Sequence, residues 1–196
     1  MFTTSIIRKL TYFLFFLLSG LMLFSCSKED EDTGGSTLIK QYGLTGQYRF
    51  QVIPTMMGTI PIATGTVDGT VSDEGKGVLR LRFNGFRANP MPFEMSVDAS
   101  FTISETAKGL LVQNVEGKSF FDADPPAGGA DPDVDPGFEI PEEALKKGLH
   151  SNGKSKLTGT IDKNPNGSGA MQYDLKLDPA VSLPVVVIIK SVQKLN

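Results

Sequence analysis

The sequence predicts an all-β domain, an eight-stranded antiparallel up-and-down barrel, on three observations. From Tyr42 nearly to the end of the chain, apolar and polar residues alternate with period two, the pattern of strands with one face on a core and one in water. Eight such segments follow one another, and eight strands make the smallest common closed barrel. Most links between them are short and carry turn residues, "SDEGKG", "RANPMP", "ETAKG" and "KNPNGSG" among them, which makes successive strands antiparallel neighbours. A two-layer β-sandwich is the alternative packing of the same strands.

Residues 1–25 stand apart from this pattern. Arg8 and Lys9 are the only charges before the apolar block "YFLFFLLSGLMLF", Tyr12 to Phe24, and a basic head before an apolar stretch of about 7–15 residues describes a secretory signal. A spanning helix needs about 20 apolar residues. Removal of the segment takes Arg8 and Lys9 with it and shifts the formal charge from −3 to −5. That balance argues against nucleic acid, which calls for clustered Lys and Arg. Cys26 is the single cysteine, so neither a disulfide nor a thiolate metal cluster can form. Residues 26–41, acidic and then Gly-rich, read as a flexible tether.

The folded domain is expected over 42–196, with strands near residues 44–53, 60–72, 77–87, 92–105, 109–121, 154–163, 169–178 and 184–194. In "PFEMSVDASFTIS", Phe93, Met95, Val97, Ala99, Phe101 and Ile103 face the core, and Glu94, Ser96, Asp98, Ser100, Thr102 and Ser104 face water. "VLRLRFN" and "AMQYDLKLD" repeat the pattern. Asp68-Gly69 is a hairpin signal inside the second segment and suggests that this strand is split there.

A long connection interrupts the meander at residues 122–153. It holds five Pro and a cluster of Asp before "PEEALKKG", a short helix begun at Pro141 and closed at Gly148. Within it, "DPDVDPGFEIPE" places acids where a calcium loop has ligands: Asp131, Asp133, Asp135 and Glu142. Pro136 occupies the position where that loop needs a Gly, so the other reading is a Pro-stiffened acidic loop. No other cofactor is expected.

In a meander, links alternate between two ends. "SDEGKG", "ETAKG" and "KNPNGSG" share a tight-turn end, where the tether also enters. "IPTMMGTIP", "RANPMP", the long insertion and "LDPAVSLP" share an elaborated end. There, Met56, Met57, Met91, Phe93, Phe138 and Leu183 make a candidate mouth for a small apolar or amphipathic ligand. The competing reading is that side chains fill the barrel and the Pro-rich loops contact a protein partner. Arg80, Arg82 and Arg87 form an outward basic stripe, with Glu94 and Asp98 expected as cross-strand partners. His150, the single histidine, reads as an exposed loop residue beside Ser151. No nucleophile, base and acid are marked out by spacing, so the chain is not expected to be an enzyme, and a hydrolase is the remote alternative.

At "LFSC" the chain resembles a bacterial lipoprotein signal, in which the cysteine is acylated and becomes the new N-terminus. The resemblance implies Cys26 as the site of lipid attachment and the membrane as a partner. "SKEDED" is similar to the surface-export signal of lipoproteins from the Bacteroidetes, implying an outer-membrane, cell-surface location. With the hairpin "LRLRFNGFRANPMPFEMSVDASFTI" and the late pair "KLTGTI" and "GAMQYDLKL", residues 44–194 resemble the calycin-like, or lipocalin-like, β-barrel lipoproteins of that group.

Overall fold

The computed structural model describes residues 34–125, 139–163, 169–174, 177–178 and 184–195, all within one compact unit. In chain order the elements are α1 (Gly35–Gln41), β1 (Gly46–Met56), β2 (Ile60–Pro61), β3 (Gly65–Gly75), β4 (Val78–Phe86), β5 (Glu94–Thr106), β6 (Gly109–Asp124), α2 (Glu142–Lys147), β7 (Leu149–Ser151), β8 (Lys156–Ile161), β9 (Gly169–Asp174), β10 (Leu177–Asp178) and β11 (Val185–Lys194).

Eight of these strands, β1, β3, β4, β5, β6, β8, β9 and β11, pair antiparallel in chain order. The last returns to the first over Tyr48↔Lys194 to Met56↔Val185. The result is the barrel-like, all-β fold expected from the alternation, with each expected segment carrying a strand. β2 extends the edge of β1, while β7 and β10 form a short spur on the far end of β6.

Alternation puts one face of each strand inside. Phe50, Val52, Leu79, Leu81, Phe86, Met95, Phe101, Leu110, Leu157 and Ile189 are fully buried there, and burying a side chain of this size contributes about 1.5–3 kcal/mol. Outside, the basic stripe is paired as its register requires. Arg80 meets Asp98 through Nε and Nη2, Arg82 shares the same carboxylate at 3.0 Å, and Arg87 pairs with Glu94.

Three local departures shape the ends. The split in the second segment falls at residues 62–64, between β2 and β3, and not at Asp68-Gly69, which runs unbroken inside β3. Gly69 serves close packing instead of a turn: a Cβ there would lie 2.6 Å from the Arg82 carbonyl oxygen and 3.1 Å from the Phe50 ring. Residues 35–41, read as the end of the tether, fold as α1. Its Ile39 is 2 % exposed and joins the core, and Gly35 sits against Gly77 in the β3–β4 turn. This helix closes the tight-turn end. Tyr48 donates to the Leu44 carbonyl at 2.8 Å, Lys194 donates to that of Gly43, and Tyr42 reaches Glu105, which also pairs with Lys163 at 2.8 Å.

The third departure lies in β6. Ala99↔Ser119 and Phe101↔Asn114 leave one β5 residue, Ser100, opposite four on β6, Val115 to Lys118. Below this excursion β6 pairs with β8 (Leu110↔Ile161 to Val112↔Gly159), and above it with β7 (Asp122↔His150, Ala123↔Leu149). One strand thereby serves three partners, and the wall stays joined although β8 and β7 are separated by residues 152–155.

Candidate functional site

Among the described residues the elaborated end comprises the β1–β2 hairpin, the β4–β5 link and the segment around α2. The hairpin is made by "MMGT". Met57 (φ 57°) and Gly58 (φ 74°) are both left-handed, as a tight primed turn demands. Thr59 donates to the Met56 carbonyl at 3.2 Å, while Met57 donates to that of Pro184 at 2.8 Å. A left-handed conformation costs an L-residue with a Cβ about 1–2 kcal/mol, and Asn or Gly is the usual occupant. Here it holds a methionine whose side chain points into solvent. Met57 is 59 % exposed and Ile60 57 %. The edge beside them is blunted by Pro61, which has no N–H to offer an incoming strand.

Under this tip the barrel end is occupied by its own side chains. Phe93 is 3 % and Phe86 1 % exposed, while Met91, Ile140 and Leu145 pack on the same core. Ala144 of α2 is fully buried. The expected helix is present, with Pro141 before its first residue and Gly148 after its last. A Cβ on Gly148 would lie 2.7 Å from the Ala123 carbonyl oxygen, so only glycine lets the chain turn from α2 into β7 this close to β6.

Among the described residues a small space of 20 Å³ is bordered by Leu44, Tyr48, Phe50, Val71, Phe101 and Ser191. That is room for a single water and for no organic ligand. The Ser191 hydroxyl borders it and has no hydrogen-bond partner among the described residues. A larger groove of 490 Å³ lies between β6 and β8, lined by Leu111, Gln113, Asn114, Glu116, Lys156 and Thr158. It is open and lies beside the β6 excursion.

His150 is not in a loop but in β7. Its Nδ1 lies 2.8 Å from Asp122 Oδ1 and its Nε2 3.1 Å from the Lys147 carbonyl oxygen. The hydrogen bond to Asp122 raises its pKa above 6.5; desolvation opposes this, and the Lys147 carbonyl and the Asp122 and Asp124 charges add to it. With both ring nitrogens engaged, His150 has none free to activate a nucleophile. Its neighbour Ser151 is also engaged, accepting from the Phe121 amide at 3.0 Å.

Four of the six mouth residues lie among the described residues. Phe93 belongs to the core and Met91, partly buried, packs against it, while Met56 is half-buried in β1 and Met57 stands outside. Phe138 and Leu183 lie outside the described residues, as do Cys26, Asp131, Asp133 and Asp135. Glu142, the remaining calcium candidate, is exposed at the start of α2 and pairs with Lys146 at 3.4 Å. Among the described residues no three His, Cys, Asp or Glu side chains cluster as a metal site would need, and no described helix is long and apolar enough to cross a membrane.

No family model, curated protein or solved structure matches the chain. Its own geometry supplies two residues that the sequence did not single out. Ile60 joins Met57 at the tip, and the turn "MMGT" is the signal that could have found it. Asp122 engages His150 from 28 positions upstream, and no spacing rule points to that.

Proposed function

We propose that this chain is a lipid-anchored lipoprotein of the outer membrane whose barrel-like domain is an interaction module. It is a filled scaffold that presents the β1–β2 tip and its neighbouring loops to a protein partner. The anchor rests on "LFSC" and Cys26, and the cell-surface location on the acidic run that follows. The described chain starts at the tight-turn end, against Gly77, which favours an orientation with the tip directed away from the anchor.

The observation that carries the reading is the contrast between the inside and the tip. Phe93 is 3 % exposed while Met57 and Ile60 are 59 % and 57 % exposed. A carrier of small apolar molecules needs a hollow of about 300–1,000 Å³, and the space bordered by Tyr48, Phe50 and Ser191, among the described residues, has 20 Å³. Large apolar side chains held in solvent at a strained turn are what a contact surface requires.

The experiment is site-specific photo-crosslinking on intact cells with the crosslinker at position 57. One defined protein adduct, abolished by Ile60→Glu in a chain that keeps its melting temperature, is the expected result. Uptake of a lipophilic dye by the purified protein, weakened by Phe93→Ala and unaffected by Ile60→Glu, would replace this reading with the ligand-carrier one.

A further inference from the structure

α2 has six residues, far below the length at which a helix holds itself together in water. What fixes it is contact. Ala144 is fully buried, and Leu145 and Ile140 pack on the core. Its own ion pairs, Glu142 with Lys146 at 3.4 Å and Glu143 with Lys147 at 2.9 Å, lie on the exposed face and add little. Its C-terminal end is tied by His150, which bridges the Lys147 carbonyl to Asp122 on β6.

Both partners of that imidazole can only accept when Asp122 is ionised. Each ring nitrogen must therefore carry a hydrogen for both bonds to exist, and only the imidazolium does so. A neutral ring keeps one bond and presents a lone pair to the other acceptor. The charged groups around it favour the cation: Asp122 and Asp124 on β6, and the carbonyl end of α2. The Lys147 ammonium is turned to Glu143. On β10, Asp178 stands opposite His150 in register; Leu149 and Ser151 flank it on β7 without charge.

We propose that His150 is a proton-operated latch: protonated, it ties the end of α2 to β6, and on losing its proton it drops one tie and frees α2 to lift from the elaborated end. The sign follows from the raised pKa. The stabilisation is complete below the unfolded value of 6.5 and is lost as pH rises through the higher folded value. The latch opens on the alkaline side of its window, and what it opens is the apolar core beneath Ala144.

The test is hydrogen exchange by NMR on the whole domain, corrected for intrinsic exchange rates, together with titration of the single imidazole. The reporters are the Leu145 and Gly148 amides, bonded to Pro141 and Ala144 at 3.1 and 2.8 Å. Their protection is expected to fall about three- to tenfold between about pH 5.5 and about pH 8. Amides of β5 stay constant, and His150→Gln abolishes the pH dependence. Asp122→Asn shifts the imidazole titration, and the fall in protection with it, to lower pH. An unchanged fall in His150→Gln, a flat profile in the native chain, or an imidazole titrating at or below 6.5 overturns the latch. The imidazole titration decides even where a variant does not fold.

Discussion

The Asn114 side chain stands in for a strand where β6 has none, its Oδ1 accepting the amide hydrogen of Leu157 at 3.1 Å. The same oxygen accepts from the Ser119 hydroxyl, so one amide group closes both sides of the break between β8 and the excursion. Leu157 is fully buried, and removing the Asn114 side chain takes away the acceptor of its N–H. Asn114→Ala should lower the unfolding free energy by about 1–3 kcal/mol. Asn114→Asp, which keeps the acceptor, should cost less than half of that. Urea denaturation of the three proteins measures both.

Gly69 faces a backbone oxygen at 2.6 Å and Phe83 Cβ at 2.9 Å from where its own Cβ would be. Neither neighbour is the end of a flexible side chain. Gly69→Ala should therefore destabilise by about 1–3 kcal/mol, although alanine has the better strand propensity of the two. Thermal unfolding followed by circular dichroism checks it, with exposed Thr66→Ala on the same strand as the control.

Met57 sits at φ 57°, where asparagine is at ease. Met57→Asn should raise stability by about 1 kcal/mol and at the same time weaken partner binding, since it removes the exposed thioether. A gain in melting temperature with a loss of crosslinking at the tip is the expected pair of results. A gain in both would mean that the strain serves no contact.

Asp98 receives Arg80 and Arg82 together. Its pKa is held below 3.8, chiefly by the Arg80 hydrogen bonds, with desolvation opposing and Arg82 adding. A depressed carboxylate contributes stability above its unfolded pKa and loses it as pH falls through the folded one. The stability difference between the native chain and Asp98→Asn should be about 1 kcal/mol near neutral pH and shrink toward zero below the unfolded value of 3.8. Denaturant titrations at a series of acid pH values give the curve.

The eight main strands were legible because each sets one face on the core, so burial writes itself into the chain as alternation. The arginine stripe and its acidic partners were legible for the same reason, since outward positions on neighbouring strands face each other. What escaped were elements without a period. β2 and β10 have two residues and β7 has three, too few to alternate, and α1 reaches the core chiefly through Ile39. Asp68-Gly69 misled because a glycine that makes room for a ring looks, in sequence, like one that makes a turn. At the candidate site, Phe93 was readable both as core and as mouth, and a single strand cannot say whether a barrel end is plugged. That depends on α2, which arrives from the far side of a long connection.

The pairing of β1 with β11 sets an order on the birth of this protein. Tyr48 has its ladder partner at Lys194, so one edge of the first strand stays bare until almost the whole chain has been synthesised. The intervening hairpins can form early, but the ring cannot shut until its last strand arrives, and contacts this far apart in sequence form slowly. A chain cut before Val185 would leave β1 and β9 bare together, two sticky edges from a single truncation. A ring that closes only with β11 keeps an open edge for most of its synthesis, which is compatible with the export proposed above.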